Sequence, residues 1–107
     1  MTIPWNEVRE RLGITPEQQE LGRRITEAYV TGHRLAELRK TAQVTQVELA
    51  RRMGIGQPRV SSIERGDIEA LTVASLRSYV AALGGTVQLV ARFGDTEIKL
   101  RVAESAV

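Results

Sequence analysis

The segment TQVELARRMGIGQPRVSSIERG, residues 45–66, sets two short helical patterns on either side of one glycine, Gly54. Thr45 and Glu48 form a capping-box pattern that opens the first, and Leu49, Ala50 and Met53 give it an inward face. A helix that stops at a glycine and restarts within a few residues folds as a helix-turn-helix, with about 90–120° between its helices. Ala50 is small where the two must approach. Ile55, Val60 and Ile63 lock the second helix in place, which uses up its buried side. Gln57, Pro58, Arg59, Ser61, Ser62 and Arg65 are left pointing outward, as a helix laid into a DNA major groove requires.

Glutamine can bond an adenine edge bidentately and arginine a guanine edge, which makes Gln57 and Arg59 the candidate base readers. Ser61 and Ser62 can serve base or phosphate, and Gln46, at the start of the first helix, is expected at the DNA backbone. Arg65 either touches phosphate or caps its own helix through the macrodipole. Arg51 and Arg52 are phosphate contacts or a solvated face.

Composition narrows the rest. A chain of 107 residues makes one domain with a small core, for which a dimer is an ordinary route to stability. Without cysteine there is no disulfide framework or thiolate metal site, and the lone His33 cannot assemble a metal cluster. A net charge of +2 is too small to argue a nucleic-acid partner by itself. Its distribution says more: residues 34–65 carry seven Lys/Arg against three Asp/Glu, whereas residues 1–33 and 66–107 each carry four against five. No acid–base pair, nucleophile–base pattern or cofactor loop is recognisable, so neither an enzyme nor a cofactor is expected. No stretch approaches the roughly 18–20 apolar residues of a membrane span, and MTIPWNEVRERLG lacks the basic start and apolar core of a signal peptide. A cytoplasmic location is the expectation.

PWNEVRERLG predicts a short helix opened by Pro4, with Trp5, Val8 and Leu12 at helical spacing and Gly13 as its stop. TPEQ, residues 15–18, is a second capping box, with Pro16 at the first helical position. The long helix behind it has Leu21, Ile25, Ala28, Leu35, Leu38 and Ala42 on one face over about six turns. Gly22 and Gly32 are weak points that leave open whether it is one helix or two. Leu76, Tyr79, Val80 and Leu83 mark a last helix, stopped by Gly84-Gly85.

The tail TVQLVARFGDTEIKLRVA changes period from helical to alternating, with Gly94-Asp95 as a type II′ hairpin turn. Pairing Phe93 with Thr96 matches Ala91 with Ile98, Leu89 with Leu100 and Val87 with Val102 on one face. Arg92–Glu97 and Gln88–Arg101 fall on the other, with Val90 opposite Lys99 as the exception. A lone hairpin is marginal in water, so the apolar face either folds onto its own domain or joins a partner's hairpin across a two-fold axis.

The opening segment resembles the helix-turn-helix of the Xre superfamily, the lambda-repressor and Cro relatives. There Gln is followed three residues on by Leu-Ala, then Gly, then an apolar pair with Glu and Gly; Gln46, Leu49, Ala50, Gly54, Val60, Ile63, Glu64 and Gly66 fit. The likeness covers residues 34–83 and implies a mainly α, lambda-repressor-like helical domain, here with an N-terminal helical extension and a C-terminal β-hairpin. The family usually opens its recognition helix with Ser or Thr, and this chain has Gly56, which caps adequately but offers no side chain to a phosphate.

Over nearly its full length the chain also resembles the HigA-type antitoxins of type II toxin–antitoxin systems. That resemblance implies a homodimer on a palindromic double-stranded DNA operator, repressing its own operon and neutralising a RelE/HigB-like toxin that cleaves messenger RNA. Residues 1–33 are then the extension that meets the toxin, with Trp5, Val8, Leu12, Leu21 and Ile25 as candidate contacts. Residues 34–84 are the DNA-binding domain and residues 85–107 the dimerisation hairpin, whose Val87, Leu89, Ala91, Ile98, Leu100 and Val102 face the partner. Such a dimer would set its recognition helices about 34–36 Å apart. Trp5 has two readings, a partner anchor and a local core plug. Two other functions compete: a free-standing Xre-family repressor without a toxin, and an adaptor that uses the fold without reading sequence.

Overall fold

Residues 3–101 are described by the computed structural model of the chain. Its elements are α1 (Trp5–Arg11), α2 (Pro16–Thr41), α3 (Gln46–Met53), α4 (Gln57–Glu64), a 3-10 turn (Ile68–Ala70), α5 (Val73–Ala82), β1 (Leu89–Phe93) and β2 (Thr96–Leu100). Among the described residues, no helix is long and apolar enough to cross a membrane.

Local chemistry starts and stops the helices. Thr15 Oγ1 accepts from the Gln18 amide at 3.1 Å while Gln18 Oε1 accepts from the Thr15 amide at 2.9 Å, so the first capping box is complete. From there α2 runs unbroken for 26 residues through Gly22 and Gly32. It is one helix. The box expected at α3 is only half formed: Thr45 Oγ1 accepts from the Glu48 amide at 3.1 Å, but the Glu48 carboxylate turns away to Arg51 and Arg52, which are charged donors. A further box, unforeseen, pairs Thr72 with Ser75 at the start of α5.

The core holds Leu35, Val44, Leu49, Ala50, Val60, Ile63, Ala70 and Tyr79. Of the α2 face expected from periodicity only Ala28 and Leu35 are covered. Leu38 and Ala42 are exposed, and so are Leu21 and Ile25 in the helix's first half. The covered stripe is half-buried Ala28, then Gly32, Leu35 and Arg39. Two contacts shift it there. At Gly32 the helices meet backbone to backbone, so that a Cβ would lie 2.7 Å from the carbonyl oxygens of Ile63 and Glu64. Two turns on, Arg39 takes a core position because Glu64 pairs with it, Nε–Oε2 2.8 Å and Nη2–Oε1 2.9 Å. Arg39 Nη1 also donates to the Val44 carbonyl at 2.9 Å, and the Tyr79 hydroxyl donates to Glu64 Oε2 at 2.7 Å.

The hairpin has the expected register: Leu89 opposite Leu100, Ala91 opposite Ile98, Arg92 opposite Glu97 and Phe93 opposite Thr96, with Gly94 alone of the turn pair at positive φ. Val87 precedes β1 and its expected partner Val102 lies outside the described residues. Val87, Leu89 and Ala91 are half-buried, while Ile98, Leu100 and Phe93 are exposed.

The two glycines of α2 should answer substitution with opposite signs. Gly32→Ala forces backbone apart and is expected to cost about 2–3 kcal/mol in urea unfolding, whereas Gly22→Ala, with nothing within 4 Å of its Cβ, should add about 0.5–1 kcal/mol. Acid should find Glu64. Burial pushes its carboxyl up, but hydrogen bonds from Arg39, Tyr79 and Gln46 outweigh that and hold it below its ordinary 4.5. A carboxyl depressed in the folded state contributes stability above its unfolded pKa and loses it as pH falls through the folded value. Stability should therefore drop below pH 4.5. Glu64→Gln should lack that share of the acid limb and be weaker at neutral pH by about 3 kcal/mol, with Arg39 left uncompensated.

Candidate nucleic-acid interface

Gly54, at φ 70, ends α3, and the Ile55 amide reaches back to the Ala50 carbonyl at 3.0 Å. Gly56 then caps α4 without a side-chain bond, as its lack of a side chain dictates. Pro58 sits in the first turn, where a missing N–H costs nothing. Val60 and Ile63, with no exposed surface, fix α4 to the core and so determine what faces outward. Gln57, Pro58, Arg59 and Arg65 are exposed, and Gln46, Ser61 and Ser62 are half-buried.

Most of these side chains are already tied to one another. Gln57 Nε2 donates to Gln46 Oε1 at 3.1 Å, and Gln46 Nε2 donates to Glu64 Oε1 at 3.1 Å. Arg65 donates to Ser61 Oγ at 2.8 Å, Ser62 Oγ at 3.1 Å and Asp67 Oδ2 at 3.3 Å. Its guanidinium lies along the outer side of α4, bonded to side chains there. Arg51 and Arg52 share Glu48, whose carboxyl is held down to about 2 by hydrogen bonds from Arg51 and then Arg52. Arg52 also donates to the Ala82 carbonyl at 3.1 Å, tying α3 to the end of α5. Arg59 has no hydrogen bond or ion pair among the described residues, so its charge is wholly on offer.

Counting charge along the chain overstates this surface. Arg39, one of the seven basic residues of 34–65, is neutralised inside the core, and Arg51, Arg52 and Arg65 each face a carboxylate. Sequence reasoning missed Arg39, Tyr79 and Asp67 as parts of the site, and treated Glu64 only as a member of a pattern. The signal for Glu64 was its place directly after buried Ile63; nothing local marks Arg39, whose partner lies 25 residues away.

The amino-terminal candidates lie elsewhere. Trp5 is 56% exposed, Leu12 67%, Leu21 51% and Ile25 52%, and Val8 is half-buried. Trp5 lines an open groove of about 480 Å³ with Ile14, Gln18, Gly22 and Thr26. It is not a core plug. His33 Nε2 lies 3.2 Å from Glu37 Oε1, a surface pair on α2.

A sequence profile described as a helix-turn-helix domain matches residues 17–92. Antitoxin HigA3 of Mycobacterium tuberculosis (strain ATCC 25618 / H37Rv) is 44% identical over 72 residues, which are 66% of this chain and 66% of that protein. Antitoxin HigA2 of the same strain is 48% identical over 71 residues, 66% of this chain and 70% of that one. The aligned part thus spans about two thirds of these relatives' own length. Among solved structures, DNA-bound antitoxin HigA3 matches with a TM-score of 0.59 and 40% identity, over 66% of this chain and 92% of that one. A HigA antitoxin whose dimerisation induces DNA bending matches with a TM-score of 0.56 and 44% identity, over 65% and 93%. The chain belongs to the helix-turn-helix family and, within it, to the HigA-type antitoxins.

Proposed function

We propose that this chain is a DNA-binding antitoxin that dimerises, represses its own operon from a palindromic operator and neutralises a RelE/HigB-like toxin in the cytoplasm. The observation that carries the reading is the outward side of α4, where Gln57 and Arg59 are exposed and have no duty in the core. Amide and guanidinium groups at the start of a helix are the groups that read base edges in a major groove. Gln46, Pro58, Ser61, Ser62 and Arg65 complete the contact surface. That HigA3 has been solved on DNA supports the assignment.

Dimerisation falls to the hairpin, through Val87, Leu89, Ala91, Ile98, Leu100 and Val102. Ile98 and Leu100 stand 54% and 49% exposed, an apolar surface that a second copy of the same hairpin would cover. The dimerisation of the HigA neighbour supports a dimer. The toxin falls to residues 1–33, through Trp5, Val8, Leu12, Leu21 and Ile25, which stand on helices with an apolar side left largely uncovered. No catalytic role is assigned to any residue.

Binding of the chain's own upstream DNA tests the first part. Gln57→Ala should keep affinity for unrelated DNA but lose about 1–3 kcal/mol of discrimination at one base pair per half-site. Arg65→Ala should weaken binding on every sequence alike and lower the salt slope by less than the value of about 1 for a free phosphate contact, because Asp67 shares its charge. Loss on scrambled and upstream DNA in equal measure for Gln57→Ala would remove Gln57 from base reading.

The toxin role is read by intact-mass analysis of the protein purified natively from its own host. A stoichiometric small basic partner, released only by denaturant, is expected. The double substitution Leu21→Glu/Ile25→Glu should abolish that partner while leaving DNA binding intact, since neither side chain is in the core. A dimer that emerges alone and still shifts its upstream DNA would make the chain a free-standing repressor.

A further inference from the structure

We infer that the outer edge of β2 is self-complementary in charge, so that a second copy of this chain joins it antiparallel about a two-fold axis through Ile98, with Lys99 on the partner's Glu97; this rests on the dimer proposed above. In a hairpin closed by a two-residue turn the pair flanking the turn is hydrogen-bonded, and the bonds then fall on alternate pairs. Counting from Phe93–Thr96, the bonded pairs are Ala91–Ile98 and Leu89–Leu100. The backbone groups of Glu97 and Lys99 on β2, and of Val90 and Arg92 on β1, are left facing outward. Every residue of β2 is exposed, whereas Leu89 and Ala91 of β1 are half-buried. β2 is the open edge, and its outward groups are free to take another strand.

Charge selects the partner and the register. Arg92 Nε and Nη2 both donate to Glu97 Oε1, at 3.2 and 2.6 Å, which leaves Oε2 without a bond among the described residues. Lys99 lies opposite Val90, and Lys99, Asp95 and Arg101 have no hydrogen bond or ion pair among those residues. An axis through Ile98 answers all of them. Lys99 meets the partner's Glu97, and beyond it Arg101 comes level with the partner's Asp95. On the apolar face Ile98 meets its own copy and Thr96 meets the partner's Leu100. Across the joined sheet one row reads Arg92, Glu97 and the partner's Lys99, alternating in sign. Moving the axis by one residue sets Glu97 or Lys99 against itself, and like charges directly opposite are destabilising. The β1 edge presents Arg92 and no carboxylate. A lysine on an edge strand ordinarily keeps other strands away. With Glu97 two places before it, Lys99 instead admits a strand whose charges run in the reverse order, and an antiparallel copy of β2 is such a strand. The one mismatch within the hairpin, Val90 against Lys99, becomes a match between hairpins.

The chain has no cysteine, so cysteines introduced singly into the full-length protein report the register. Opposed residues whose backbone bonds point away from each other stand about 4.5 Å apart at Cα, within disulfide reach. Under a glutathione redox couple Ile98→Cys should link to its own copy, whereas Thr96→Cys and Leu100→Cys should each stay unlinked alone and link when mixed. Lys99→Glu should raise the dimer Kd about tenfold, and so should Glu97→Lys. A mixture of these two, one of them tagged, should form the heterodimer in preference to either homodimer. A substitution that merely loosened the hairpin would not be repaired by mixing. A dimer in which Ile98→Cys stays unlinked, or Thr96→Cys links to itself, or the charge variants pair no better mixed than apart, would overturn the inference and leave dimerisation standing. A wild type that runs as a monomer would overturn the proposed dimer and the inference together.

Discussion

Arg39 and Glu64 hold the rest together. Their side chains are 10% and 7% exposed, so both charges have left water, and such a pair is tolerable only when its remaining donors and acceptors are satisfied. They are: Arg39 also holds the Val44 carbonyl, and Glu64 takes bonds from Tyr79 and Gln46 as well. The end of α2, the turn into α3, the end of α4 and the middle of α5 thus converge on one carboxylate. Above it, Gly32 and Gly66 let backbone approach backbone, which leaves α4 little freedom to slide or tilt. The outward face of α4 is placed by what happens underneath it.

The same helix serves two unlike purposes along its length. From Ala28 onward α2 packs on α4 and the 3-10 turn, while its first three turns have little tertiary cover. A short helix without cover is marginal, because nucleation is costly and propagation adds little per residue. Here the packed half supplies the nucleus. The exposed half needs only propagation, aided by the Thr15–Gln18 box and by Arg23 bridging Glu20 and Glu27 at 2.5 and 2.7 Å. The stripe that is core in one half therefore continues as surface in the other, and Leu21 and Ile25 can remain ordered while uncovered.

What could be read from the sequence was what depends on neighbours in the chain. The Gly54 turn, the Thr15 box and the hairpin register around Gly94-Asp95 are each set by residues within a few positions, and each is found in the fold. Long-range pairing was hidden. Arg39 looked like a surface residue, and its burial displaced Leu38 and Ala42 from the face that periodicity alone assigned them. The stop of α2 carried no glycine, since Gln43 takes the left-handed position at φ 59. Glu48 fitted the capping pattern, yet two arginines one turn on outbid the backbone amide. In the candidate site the outward residues were legible because Val60 and Ile63 left them no alternative, whereas the bonds among Gln46, Gln57 and Glu64 depend on how α3 and α4 are docked.

The charge of the interface bears on how it would hold DNA. Affinity for a duplex comes largely from neutralised phosphates, and each cation shared with a carboxylate contributes less. Of the motif's four arginines outside the core, Arg51, Arg52 and Arg65 have carboxylate partners on the same protomer and Arg59 has none among the described residues. One such domain offers a weak electrostatic grip. It would not stay long on DNA of arbitrary sequence. Joining two domains through the hairpins, as proposed above, would change this, because the second half-site would then be met at the high effective concentration that a short link provides, without any new contact. A weakly charged reading face and a dimer would be parts of one solution: the first would keep random DNA from competing, and the second would restore affinity where two half-sites lie at the right spacing.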